Sequence, residues 1–113
     1  MNVTAETYGH SVILNIKGEL TEDTLNAFRQ VVDHHLGHKQ VLDVVLNLET
    51  ASFIDSAALE YLLDLRDRLA QNSGRVKLVK PDENVRKILE ITRLKTSFEI
   101  FNEMPQAVQA AGT

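Results

Sequence analysis

The sequence contains no cysteine. Disulfide bonds, thiol catalysis and cysteine-based zinc sites are therefore excluded, and the absence fits a reducing compartment. Only two prolines and five glycines are spread over the 113 residues, and no tract rich in proline, glycine or serine divides them. We therefore expect a single domain over residues 1–113. A chain of this length buries enough surface to fold without a disulfide or a structural metal.

Positive charge is also scarce. The 12 lysines and arginines are outnumbered by 16 acidic residues, which gives a formal net charge of −4. Non-specific binding of nucleic acid requires a positively charged surface, so no nucleic-acid partner is predicted. The apolar runs are too short to cross a bilayer, and the first six residues lack the features of a signal peptide. We expect a cytoplasmic protein that does not insert into membranes and has protein partners.

Apolar periodicity predicts the elements of the first half of the chain. Alternation over residues 11–16 predicts a strand that ends at Gly18, and residues 3–8 are expected to pair with it as an edge strand. From Thr24, apolar residues recur at helical spacing until Gly37 ends the helix. Together these patterns predict two strands followed by a helix.

The nearly continuous apolar run over residues 41–48 indicates a strand buried on both faces. The elements predicted after it are a helix over 56–71 ended by Gly74, a strand over 76–79, a helix opened by Pro81, Asp82 and Glu83, a strand over 97–101 and a helix over 105–111. Strands separated by helices imply a largely parallel sheet. The predicted fold class is α/β, with a mostly parallel central sheet of four to five strands. Helices are expected mainly on one face, because the first two strands are joined too tightly for a crossover.

The most distinctive local feature is the segment over residues 51–59, which is predicted to turn from the central strand into the second helix. In open α/β sheets, functional groups lie beyond the carboxyl ends of the strands. Asp55 or Ser56 would cap this helix by accepting hydrogen bonds from its first N–H groups. The simplest interpretation is a helix cap with no further role.

A second interpretation makes Ser56 a site of modification, because small residues follow it and leave its hydroxyl accessible. A phosphate there adds a charge of about −1.5 to −2. Against a partner surface that fits a neutral serine, this charge costs several kcal/mol, about a hundredfold or more in affinity. Phosphorylation would therefore separate a complex rather than unfold the domain.

The residues Phe53-Ile54-Asp55-Ser56-x-x-Leu59, with Gly18-Glu19-Leu20 ahead of the first helix, resemble the STAS domain of anti-sigma factor antagonists. The resemblance covers essentially the whole chain. It implies a STAS-like fold and a cytoplasmic bacterial switch protein that is not an enzyme and needs no cofactor. Such a protein binds an anti-sigma factor, which is also a serine kinase, and so frees a sigma factor. Phosphorylation at the Ser56 position releases the partner, and a serine phosphatase resets the switch.

The residues expected at the partner-binding surface lie near the starts of the first two predicted helices. They are Asp55, Ser56, Ala57, Ala58, Leu59, Thr21 and Asp23. The family usually has serine or threonine and then glycine where this chain has Ala57 and Ala58, and it often has an acid at the positions of Thr21 and Asn47. A glycine at position 58 would admit another backbone more closely than Ala58 does. These differences also predict fewer acidic neighbours around Ser56.

Other chemistry is poorly supported. His34 and His38 are four residues apart, but Gly37 is expected to end the helix between them and no companion ligand is present, so no metal site is predicted. The sequence also lacks the G-x-S-x-G elbow and the glycine-rich phosphate loops.

An alternative function is that of a STAS accessory subunit of a membrane transport system, such as a lipid-transport ATPase, docked constitutively to its partner. The neighbouring gene would discriminate between the two functions. A serine kinase or phosphatase gene favours the antagonist, and an ATP-binding cassette gene favours the transport subunit. In either case a monomer or weak dimer is expected.

Overall fold

The computed structural model describes residues 1–37 and 41–111, with side chains up to residue 108. In this part of the chain the order of elements is the predicted one. The elements are β1 (Asn2–Tyr8), β2 (Ser11–Leu20), α1 (Glu22–Leu36), β3 (Asp43–Ile54), α2 (Ser56–Ala70), β4 (Val76–Val79), α3 (Glu83–Ile91), β5 (Glu99–Phe101) and α4 (Met104–Ala111). A single turn of 3-10 helix, Lys95–Ser97, lies between α3 and β5.

The five strands described form one sheet in the order β1-β2-β3-β4-β5. β1 runs antiparallel to β2 through a tight connection, and the other neighbouring pairs are parallel. A helix connects each parallel pair and supplies the crossover that parallel pairing requires. The predicted mostly parallel sheet is therefore confirmed.

Alternate residues of the central strands supply the cores on the two faces of the sheet. On one face, Val12, Leu14, Val44 and Leu46 pack with buried residues of α1, α2 and α3. On the other face, α4 covers a smaller cluster of Ile13, Val45, Val79 and Ala107. Three of the four described helices thus share a face, which confirms the prediction that helices pack mainly on one side.

Both central strands are longer than predicted. β2 continues through Gly18, where a φ of +98° and a shift in register make an irregularity instead of an end. β3 continues to Ile54, because its second half pairs with β2 and buries Ala51 and Ile54. The prediction that residues 51–55 form a turn was therefore wrong for 51–54, and only Asp55 separates β3 from α2.

Lys77 lies on β4 beneath α4, and it is completely buried. Its Nζ donates a hydrogen bond to the carbonyl oxygen of Ala107, 3.1 Å away, and lies 5.8 Å from the ring centroid of Phe101. Burial lowers the pKa of this ammonium from its usual 10.5, although the negative charges of Asp43 and Glu99 oppose that shift. Between the lowered pKa and 10.5, the unfolded chain holds a proton that the folded chain has lost.

The free energy of unfolding should therefore increase as the pH rises through that interval, and this increase comes from Lys77. Lys77→Met keeps an unbranched side chain without the charge, and it should remove this contribution. Urea unfolding at a series of pH values up to about pH 10 measures the effect, because the interval ends at the usual lysine pKa of 10.5. Parallel pH dependences in the variant and the parent would contradict the prediction.

Candidate functional site

Asp55 connects the end of β3 to the start of α2. Its backbone N–H donates to the carbonyl oxygen of Leu20 over 3.2 Å, which holds it against the end of β2. Its Oδ1 accepts the N–H of Ala58 over 2.9 Å, and its carbonyl oxygen accepts the N–H of Leu59. Asp55 is therefore the N-cap of α2, and Ser56 is the first residue of the helix.

The same carboxylate also reaches α1. Oδ2 of Asp55 accepts the backbone N–H of Glu22, the first residue of α1, over 2.9 Å. A second hydrogen bond stabilises the start of α1 from within the helix. Oγ1 of Thr24 accepts the N–H of Thr21, the N-cap residue, over 2.9 Å. One side chain thus holds the first turns of two helices together.

This arrangement brings together five of the seven residues predicted to bind a partner. We call this set the helix-start surface; its members are Thr21, Asp23, Asp55, Ser56 and Ala57. Asp23 and Ser56 are exposed, and the other three are partly buried. Ser56 is therefore open to solvent at a helix N-terminus, where a partner or a modifying enzyme could approach it.

Ala58 and Leu59 do not belong to this surface. They are 0% and 3% exposed, because positions 58, 59, 62, 65 and 69 form the stripe of α2 that packs on the sheet. Their buried side chains do not support the predicted contact with a partner, which stays a prediction. The methyl group of Ala58 lies in the core, so its difference from glycine leaves the surface unobstructed.

Asn47 also lies away from Ser56. It sits in the first half of β3, where its Nδ2 donates to Oδ1 of Asn15 over 2.8 Å. The expectation that this position neighbours the serine was wrong, because β3 extends well beyond it. Acidic groups near Ser56 come from Asp55 and from Glu22 and Asp23 in the first turn of α1.

Phe53 is a feature that sequence reasoning did not assign to the surface. It precedes the buried Ile54 in β3, yet it is 41% exposed. Its register partner is Glu19 near the end of β2, so the ring lies close to the helix-start surface. Exposed aromatic residues are common in the contact regions of protein interfaces. The signal available in the sequence was that Phe53 and Ile54 are adjacent apolar residues, which in a strand point to opposite faces of the sheet.

Of the two histidines considered as a metal site, His34 lies in the last turn of α1 and His38 lies outside the described residues. Within residues 1–37 and 41–111, no group of three or more histidine, aspartate or glutamate side chains is arranged to hold a metal ion. No helix in these ranges has the length and apolar character needed to cross a membrane.

A shallow groove runs between α1 and α2 beside the helix-start surface. Its lining includes Glu22, Ala57, Glu60 and Asp64. Arg29 crosses the groove, with its guanidinium carbon 5.0 Å from the ring centroid of Tyr61. Glu60 and Asp64 therefore continue the acidic character of the helix starts along α2, whereas α1 contributes the positive charge of Arg29.

Comparison with known sequences gives one family and named relatives. The family model of the STAS domain matches residues 2–107. The anti-sigma F factor antagonist of Paenibacillus polymyxa is 24% identical over 110 residues, covering 96% of this chain and 94% of the relative. The anti-sigma F factor antagonist of Lysinibacillus sphaericus is 28% identical over 92 residues, covering 81% of this chain and 75% of the relative.

Solved structures share the fold. The unphosphorylated anti-sigma factor antagonist SpoIIAA superposes with a TM-score of 0.82 at 22% identity, covering 99% of this chain and 98% of SpoIIAA. SpoIIAA from Bacillus has also been solved in its phosphorylated form. The murine anion transporter Slc26a9 contains a similar domain, with a TM-score of 0.78 over 95% of this chain but only 18% of the transporter. With the family model spanning nearly all of its length, the chain belongs to the STAS domain family.

Proposed function

We propose that the protein is an anti-sigma factor antagonist. With Ser56 unphosphorylated it binds an anti-sigma factor that is also a serine kinase, and so frees a sigma factor for transcription. Phosphorylation of Ser56 releases the anti-sigma factor, and a serine phosphatase restores binding. The observation that carries the proposal is the exposure of Ser56 at the start of α2, in a STAS domain whose relatives in Paenibacillus polymyxa and Lysinibacillus sphaericus are named anti-sigma F factor antagonists.

The charges around Ser56 support release by phosphorylation. A helix N-terminus favours a phosphate by only about 0.3–2 kcal/mol. The phosphate would join Asp55, Glu22 and Asp23, which already make this surface acidic. A partner that binds the unphosphorylated surface would have to bury or repel the new charge, which costs more than the helix end contributes.

In this proposal the protein acts in the cytoplasm by docking, and its partner supplies the ATP chemistry. The serine contributes only a hydroxyl that accepts the phosphoryl group. Ser56 needs no activation by a neighbouring base within this chain, since the kinase positions the reacting groups. The role is therefore that of a substrate and regulator, without catalysis or a cofactor of its own.

A transport-associated role is the competing hypothesis, and the similarity to a domain of Slc26a9 is the observation that favours it. A transport subunit of this kind would stay docked whatever the state of Ser56. The curated relatives named as antagonists favour the first function, because the sequence match covers most of this chain and most of each relative, whereas the match to Slc26a9 covers only 18% of the transporter.

The experiment that tests the proposal incubates the protein with ATP and the anti-sigma factor kinase encoded next to it, and locates phosphate by mass spectrometry. We expect one phosphate, on the peptide that contains Ser56, and none in the Ser56→Ala variant. Ser52→Ala is the matched control, because Ser52 is an exposed serine on the same segment and its loss should leave incorporation unchanged. Phosphate on another residue, or none at all, would contradict the proposal.

A further inference from the structure

Asp55 is bound to both helices of the helix-start surface, and Ser56 follows it directly. One carboxylate oxygen receives the N–H of Ala58 in α2, and the other receives the N–H of Glu22 in α1, each over 2.9 Å. Both donors lie in the first turn of a helix, where backbone N–H groups have no partner within their own helix. The position of α1 at this surface therefore depends on a side chain adjacent to the modified residue.

We propose that Asp55 transmits the charge state of Ser56 to the start of α1. The inference rests on the proposed phosphorylation of Ser56 and adds a consequence to it. A phosphate at Ser56 would repel the adjacent carboxylate and compete with it for the N–H groups at the start of α2. Asp55 would then bind the N–H of Glu22 less well. The partner would meet both a charged Ser56 and a loosened first turn of α1.

The effect should remain local, because α1 has a second set of contacts at its start. Oγ1 of Thr24 accepts the N–H of Thr21, and the N–H of Thr24 donates to the carbonyl oxygen of Thr21 over 3.0 Å. Leu25 and Phe28 of α1 are buried against the sheet and α2. The helix should therefore stay folded while the bond between Glu22 and Asp55 weakens.

The α3 N-cap offers a matched comparison. Asp82 also caps its helix, by accepting the N–H of Asn84 over 2.7 Å, and among the described residues its carboxylate accepts no hydrogen bond from a second helix. Serine caps a helix about as well as aspartate. Its single side-chain oxygen, however, cannot accept both the N–H of Ala58 and the N–H of Glu22, which the two oxygens of Asp55 accept separately. Asp55→Ser should therefore preserve the cap of α2 and release Glu22, whereas Asp82→Ser should leave Glu22 unchanged.

Amide exchange with water, measured by NMR on the full chain, tests the inference without a partner protein. With phosphoserine incorporated at position 56 during synthesis, exchange at the Glu22 amide should be faster by about fivefold, the effect of losing one typical hydrogen bond. Asp55→Ser should give a similar increase in the unphosphorylated protein and remove any further effect of phosphoserine. Asp82→Ser should leave the Glu22 rate as it is in the parent.

The two proposals fail in different ways. An unchanged Glu22 rate after incorporation of phosphoserine would overturn the inference, even if the anti-sigma factor still dissociates. An increase in the parent that is equally large in Asp55→Ser would also overturn it, since the effect would then bypass Asp55. If the Glu22 rate rises as expected but the kinase does not phosphorylate Ser56, the proposed function is wrong and the coupling through Asp55 stands.

Discussion

Replacing Ser56 by aspartate is expected to weaken binding of the anti-sigma factor by about a hundredfold or more, because a charge enters a contact surface that fits a neutral hydroxyl. Ser56 is exposed at the first position of α2, so the new carboxylate lies on the surface and not in the core. Replacing Ser56 by alanine removes only the hydroxyl and should change affinity by no more than about threefold. Calorimetric titration with the anti-sigma factor, in the absence of ATP, measures both variants.

Stability measurements separate this effect from misfolding. Aspartate in the first turn of a helix interacts favourably with the helix dipole, which offsets its repulsion from the neighbouring Asp55, so the melting temperature of Ser56→Asp should stay close to that of the parent. Equal partner affinities for the two variants would contradict a charge-operated release. Weaker binding by both variants would point instead to a direct contact made by the hydroxyl.

The second large effect concerns the packing that holds α1 against α2. Phe28 is completely buried, and its ring meets that of Tyr61 edge to face with centroids 5.9 Å apart. Phe28→Ala removes this contact and leaves a cavity between the helices, so the free energy of unfolding should fall by about 3–5 kcal/mol. Urea denaturation measures the loss.

Phe28→Leu is the control, because it fills most of the same volume and should cost less than about 2 kcal/mol. If Phe28→Ala costs no more than Phe28→Leu, the interface between α1 and α2 does not depend on this ring. The result matters for function, since the helix-start surface is formed by the first turns of these two helices.

The order of elements could be predicted because it depends on local patterns. Residues 76–79 are apolar apart from Lys77, a short run that is typical of one buried strand. The helical spacing of apolar residues that starts near Thr24 likewise belongs to one helix. The second half of β3 could not be predicted in this way, because it carries polar residues such as Thr50 and Ser52. Beyond Asn47, where the pairing with β4 ends, this half pairs with β2 and with no other described strand, so polar side chains are tolerated there.

The site was predicted in part for the same reason. The segment after the buried run over residues 41–48 is a local signal, and it predicted a helix start capped by Asp55 or Ser56. The structure gives the cap to Asp55. The hydrogen bond between Asp55 and Glu22 joins residues 33 positions apart, so no local sequence pattern predicts it. Burial of Ala58 and Leu59 follows from the rotation of α2 on the sheet, which the motif alone does not specify.

The most direct test compares one protein in two chemical states. The anti-sigma factor is titrated against the full chain carrying serine at position 56 and against the same chain carrying phosphoserine there. The account predicts that affinity falls by about a hundredfold or more and returns after phosphatase treatment. Indistinguishable affinities of the serine and phosphoserine forms would contradict it.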